Sequence, residues 1–143
     1  MELSIRKITI DDVNAVTALS HQLGYPLSIE ETTKNIKAVI AGEDRIAFVV
    51  EYDNKVVGWI AASQAVMIEV PQYCEITGLV VDENFHRKGI GKLLIERVKQ
   101  WAKEKGNNKL SLRCNVKRIE THRFYSHLGF KDIKKQTNFV LDI

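Results

Sequence analysis

The chain predicts an α/β fold, a mixed sheet with helices packed on it. Three observations carry that prediction. Short β-branched runs alternate along the chain with segments whose apolar residues recur at helical spacing. Turn-forming residues, not long linkers, separate them. A strand stops at Val81, a basic two-glycine turn follows, and an amphipathic helix opens at Ile90.

Taken in order, Leu3 to Thr9 alternates and reads as a strand. Thr9 to about Leu23 is helical, with Ile10, Val13, Val16, Leu19 and Leu23 on one stripe, and Gly24-Tyr25-Pro26 breaks it. Ser28-Ile29-Glu30-Glu31 has the form of a capping box and starts a second helix that runs to about Ile40. Ala47–Tyr52 and Lys55–Ala61 are strands of a hairpin turned by Asp53-Asn54. Tyr73–Val81 is a further strand, and Gly78 inside it marks a bulge or a close backbone approach.

Ile90 to Lys105 is a helix with Ile90, Leu94, Val98 and Trp101 on its buried stripe, ended by Gly106. Lys109–Cys114 is a strand, and Arg118–Leu128 a helix closed by Gly129. Phe130–Lys134 and Thr137–Leu141 complete the series as two short strands. The predicted order is β-α-α-β-β-β-α-β-α-β-β.

Bulk properties narrow the function. The 143 residues are 45% hydrophobic and 27% charged, as expected of one globular domain able to bury a core. No apolar run approaches the roughly 18 residues of a spanning helix, and the N-terminus lacks a secretory apolar region. The expectation is a cytoplasmic protein with no membrane partner. Cys74 and Cys114 stand apart with no metal-ligand spacing, and read as buried thiols rather than a disulfide. His21, His86, His122 and His127 show no metal-like pairing, so no metal is expected.

Charge is divided unevenly. Residues 1–85 hold 6 Lys/Arg against 13 Asp/Glu, whereas residues 86–143 hold 15 against 5. The second half suits a polyanionic ligand, a nucleic acid patch or a solvated basic face; charge alone does not choose.

The turn His86-Arg87-Lys88-Gly89-Ile90-Gly91-Lys92 is the most telling segment. Its backbone N–H groups and the following helix N-terminus converge on one spot, which suits a phosphate. Glycines at 89 and 91 let a ligand approach the backbone, and Arg87, Lys88 and Lys92 add positive charge. Glu75 lies on the strand before it, and the run Phe124-Tyr125 to Gly129-Phe130 lies on the last helix and its exit.

These three clusters, in this order, resemble the GNAT superfamily of acetyl-CoA-dependent N-acetyltransferases. The element order is similar over nearly the whole chain; the motifs cover about residues 75–130. The family signature Gln/Arg-x-x-Gly-x-Gly/Ala is matched by His86 to Gly91, except that His86 stands where Gln or Arg is usual. The resemblance implies a single acetyltransferase domain over residues 1–143, with a mostly antiparallel sheet splayed where CoA binds. It implies that amides of the turn wrap the CoA pyrophosphate and that Leu79, Val80 and Val81 hold the pantetheine arm as an added strand would. Asn115 would bond the pantetheine or an ordered water.

Catalytic roles follow from the same resemblance. Glu75 lies fourteen residues before Gly89, the offset of the general-base glutamate in histone-acetylating relatives. An amine like that of lysine, with a pKa of about 10.4, arrives protonated and must lose a proton before it attacks. Tyr125 matches the family tyrosine that protonates the departing thiolate. A phenol of pKa about 10 and a thiol of pKa about 8.5 are nearly matched for that transfer.

The expected reaction is acetyl transfer from acetyl-CoA to an amine acceptor, by direct attack in a ternary complex. The acceptor class stays open: small amine, aminoglycoside-like compound, polyamine, or peptide or protein amine. A homodimer is compatible with the resemblance. Two other readings compete. A non-catalytic acyl-CoA-binding module would keep the Gly89–Gly91 turn and dispense with Glu75 or Tyr125. A basic RNA-associated protein would use Lys99, Lys103, Lys105, Lys109 and Lys117, but few aromatics are interleaved with them, so nucleic acid is not the expected partner.

Overall fold

The structure, a computed structural model, describes residues 2–86, 88–113 and 119–143. Strands β1 (Leu3–Lys7), β2 (Arg45–Tyr52), β3 (Lys55–Ala65), β4 (Tyr73–Val81) and β5 (Leu110–Leu112) form one sheet in the order β1-β2-β3-β4-β5. The first four pair antiparallel and β5 joins β4 in parallel, so the sheet is mixed. Helices are α1 (Val13–Gln22), α2 (Ile29–Ala41), α3 (Ile90–Glu104) and α4 (Ile119–His127). Residues 1–112 make one compact unit and residues 113–143 a second.

The β2–β3 turn puts Asp53 at φ 51° and Asn54 at φ 62°, the left-handed pair that matches the twist of a two-residue hairpin. Successive strand side chains then point to opposite faces. On one face Val49 packs with Ile8, Val13, Val16 and Ile36, and Trp59 closes over them, so α1 and α2 cover this side. On the other, Phe48 carries the Arg97 guanidinium 4.5 Å above its ring, and Ile90 packs where Gly58 leaves room, so α3 covers that side. Ile90, Leu94, Ile95 and Val98 of α3 are buried, each stabilising by roughly 1.5–3 kcal/mol.

The helix expected from Thr9 begins instead as a 3-10 turn over Ile10–Asp12 before α1. Asp12 explains the tight start: its carboxylate accepts the Thr9 N–H at 2.8 Å and two Arg6 N–H groups at 2.8 Å each. Arg6 also donates to Glu51 at 2.6 Å, tying β1 to β2. Burial pushes the Asp12 carboxyl up, but Arg6 and the Thr9 N–H more than offset this and hold it below the ordinary aspartate value.

The two closing strands do not form. Residues 130–143 carry no helix or strand, against the expectation for Phe130–Lys134 and Thr137–Leu141. Strand propensity is local, whereas a strand exists only with a partner ladder. Here Phe139, Val140 and Leu141 are 91%, 89% and 83% exposed, so no packing holds the segment extended.

No helix among the described residues is long and apolar enough to cross a membrane. Cys74 is a buried free thiol, as expected; Cys114 lies outside the described residues.

Candidate active site

β4 is the backbone of the site. Ala61 pairs with Gly78 and Ala62 with Ile76, so Thr77 is an extra residue and the strand bulges there. Gly78 also meets the other expectation, a close approach. A Cβ at this position would fall 2.7 Å from Cη2 and 2.8 Å from Cζ3 of the Trp59 indole. On its far side β4 pairs with β5 only through Cys74, Glu75 and Ile76. Past the bulge, Gly78 to Val81 have no strand on that side among the described residues. The described pairing of β4 with β5 therefore lies wholly before the bulge.

The turn follows directly. Asp82 is buried, its N–H donates to Val57 O at 2.8 Å, and its carboxylate accepts the Asn84 N–H at 3.0 Å. Gln22 at the end of α1 accepts the Glu83 N–H at 3.0 Å, which joins the α1 end to this loop. The His86 ring nitrogen Nε2 donates to Val81 O at 3.1 Å, folding the turn back on β4. That contact accounts for the histidine at this position: its side chain clips the loop to the strand.

Gly89 is the N-cap of α3 at φ 77°, a left-handed conformation that favours glycine, with open space where a Cβ would sit. No side chain caps this helix, and its first turn holds no acidic residue. Ile90 turns into the core while Lys88, Gly89 and Lys92 are exposed. The amides that open α3 thus face outward beside lysine charge, the arrangement that attracts an anion.

Glu75, Leu79, Val80 and Val81 lie on β4, His86, Lys88 and Gly89 between it and α3, and Ile90, Gly91 and Lys92 on the first turn of α3. Glu75 pairs with Ser63, four residues along β3 from Trp59 and on the same face, the side covered by α1 and α2. It is half-buried. Cys74 beside it faces the opposite way, fully buried, and burial with the Glu75 charge pushes its thiol up to about 11. It is therefore a neutral thiol and no ready nucleophile.

Tyr125 belongs to the second unit. It is half-buried on α4, with the Phe124 and Phe130 rings at 5.3 Å and 5.8 Å in edge-on arrangements. Leu128 and Phe130 both donate their N–H to Tyr125 O at 3.1 Å, and Gly129 at φ 95° makes that reversal. Arg87 and Asn115 lie outside the described residues. Sequence reasoning missed Trp59 and Gln22. The mark at Gly78 could have led to Trp59, because a close approach needs a bulky neighbour on the adjoining strand. Among the described residues no cluster of three or more His, Cys, Asp or Glu could hold a metal ion.

A bulged strand leading to an uncapped helix start flanked by lysines is an arrangement that suits an anionic ligand. The chain belongs to the Acetyltransferase (GNAT) family, whose profile matches residues 14–130. It is 27% identical over 136 residues to an uncharacterised N-acetyltransferase of Chlorobaculum tepidum, covering 92% of this chain and 77% of the relative. It is 24% identical over 132 residues to aminoglycoside N(6′)-acetyltransferase type 1 of Serratia marcescens, covering 87% and 89%. Its fold is similar to that of an aminoglycoside N-acetyltransferase solved in complex with CoA, with TM-score 0.89 and 16% identity over 99% of this chain and 96% of the other. The protein is an N-acetyltransferase that moves an acetyl group to an amine.

Proposed function

We propose that the protein acetylates a cationic amine with acetyl-CoA by direct attack in a ternary complex. The observation that carries this reading is the uncapped start of α3 after the bulged strand β4. The amides from Gly89 to Lys92, with Arg87, Lys88 and Lys92, hold the pyrophosphate; backbone groups of Leu79 to Val81 hold the pantetheine arm. Because His86 occupies the Val81 carbonyl, the other groups of that stretch carry the arm. Asn115 bonds the arm or an ordered water.

The chemistry then runs along β4. Glu75 takes a proton from the ammonium of the acceptor, directly or through water, and the free amine attacks the thioester carbonyl carbon. A carbon–nitrogen bond forms, and a main-chain N–H near Leu79 stabilises the oxyanion. Collapse breaks the carbon–sulfur bond, and Tyr125 gives its phenolic proton to the thiolate. The products are the N-acetylated acceptor and CoA. Glu30, Glu31, Glu43 and Asp44 on and after α2 give the acceptor side an acidic character that suits a cation. An aminoglycoside is the first acceptor to try, since the Serratia marcescens relative acts on that class by its name.

Thiol release from acetyl-CoA across a panel of aminoglycosides, polyamines and lysine peptides tests this reading. Glu75→Gln is expected to lower kcat about 100-fold or more at neutral pH. The loss should shrink as pH approaches the amine pKa, where the acceptor arrives unprotonated. Tyr125→Phe should slow turnover without weakening acetyl-CoA binding. Acetyl-CoA binding with no turnover on any amine would favour a non-catalytic binding module instead.

A further inference from the structure

The bulge at Thr77 decides which way every later residue of β4 points. Side chains alternate along a strand, so one extra residue resets the alternation. Glu75 before the bulge, and Gly78 and Val80 after it, consequently share the face that Trp59 occupies. In an unbulged strand Leu79 and Val81 would share that face with Glu75, and the backbone groups beyond would turn over as well. Glu75 and the backbone from Gly78 to Val81 keep their relation only while the extra residue stays at Thr77.

Two features pin it there. Gly78 lies under the Trp59 indole so closely that even a methyl group would collide with Cη2 and Cζ3. The Trp59 side chain is partly buried and packs against the apolar cluster of Ile8, Val13, Val16, Ile36 and Val49, which limits how far the ring can yield. Yet the indole Nε1–H is buried with no hydrogen-bond partner. A buried donor without an acceptor works against folding. Phenylalanine or leucine would fill the same apolar site with no orphaned donor. What only tryptophan supplies is the reach of its six-membered ring to Gly78.

We propose that Trp59 is a positioning residue for acetyl transfer: its ring, seated on Gly78, holds the extra residue of β4 at Thr77 and so aims Glu75 and the amide near Leu79 at one reacting centre. This rests on the reading of Glu75 and the Leu79 region given above. The phosphate-binding turn lies beyond the end of β4 and owes its shape to Asp82, His86 and Gly89. Loss of the Trp59 ring therefore harms the chemical step far more than the grip on acetyl-CoA.

The test compares Trp59→Phe, Gly78→Ala, the double variant and Glu75→Gln in the full chain, by steady-state kinetics over pH and by calorimetric titration with acetyl-CoA. Trp59→Phe is expected to lower kcat at least tenfold and shift the rising limb of its pH profile, with acetyl-CoA affinity changed less than about threefold. Gly78→Ala, which drives a methyl into the ring, should lower kcat as much or more. Adding Trp59→Phe to it removes the colliding atoms and should recover at least part of the loss. The titration counts folded sites, so kcat is taken per binding-competent molecule and a folding defect does not imitate the effect. A Trp59→Phe enzyme with kcat within twofold of the parent and the same pH profile overturns the proposal. So do Gly78→Ala and Trp59→Phe losses that simply multiply. Glu75→Gln reads the base role alone: if it is silent while Trp59→Phe and the rescue behave as expected, the assignment of the base fails and the positioning of the Leu79 edge stands.

Discussion

The starts of α2 and α3 are built in opposite ways. At α2 the Ser28 side chain accepts the Glu31 N–H at 3.1 Å, and Glu30 and Glu31 set negative charge in the first turn. The helix satisfies its own exposed donors and its own dipole. At α3 the cap is Gly89, with no side chain to accept anything, and the nearby charges are Lys88 and Lys92. The first arrangement is what stability alone selects. The second leaves amides and positive charge turned outward, which favours an anion supplied from outside. The contrast marks the α2 start as scaffold and the α3 start as the candidate site.

The largest expected effect breaks that contrast at α3. Gly91→Asp places a carboxylate in the first turn, where it satisfies the helix dipole but repels the pyrophosphate. Acetyl-CoA affinity should fall on the order of 100-fold, about 2.7 kcal/mol at 25 °C. Folding stability should hold or rise by a few tenths of a kcal/mol, because a negative residue suits a helix start. Calorimetric titration and thermal melting measure the two halves. The mirror experiment at α2 should give the reverse: Ser28→Ala lowers stability by about 1 kcal/mol and leaves acetyl-CoA affinity alone. A Ser28→Ala enzyme with weakened cofactor binding would erase the distinction between the two helix starts.

Smaller effects come from titration. The Asp12 carboxyl lies below its ordinary value, so its contribution is complete above the unfolded aspartate pKa of about 3.9 and is lost as pH falls through the folded value. Asp12→Asn should flatten the acid limb of stability against pH, read from urea melts between pH 2 and 5. Cys74 has the opposite sign. Its thiol is raised to about 11, so its contribution is complete below the unfolded thiol pKa and is lost as pH rises through about 11. Cys74→Ala should reduce the loss of stability on the alkaline side, read from melts between pH 8 and 11.

Much of this architecture was legible from residues that act locally. The helix opened by Ile90, the strand from Tyr73 to Val81 and the Ser28 cap all have the expected places, because their periods and caps are short-range signals. What escaped depends on partners distant in sequence. β3 continues past Ala61 to Ala65 because Arg45–Ile46 on one side and Tyr73–Ile76 on the other pair with that extension. The segments at Phe130–Lys134 and Thr137–Leu141 have strand-forming residues and no ladder. Gly78 marks the bulge, but the indole packed on it comes from Trp59 on the neighbouring strand, and one strand's pattern cannot reveal that contact. His86 departs from the signature, and the contact of its ring with the Val81 carbonyl could be found only in the folded chain.

The central claim is that the open start of α3 grips the phosphates of acetyl-CoA for an acetyl transfer along β4. Calorimetric titration of acetyl-CoA into the parent, Gly91→Asp and Ser28→Ala proteins tests it most directly. The account predicts tight one-site binding that Gly91→Asp weakens about 100-fold and Ser28→Ala leaves unchanged. Equal affinity of the Gly91→Asp protein and the parent would contradict it.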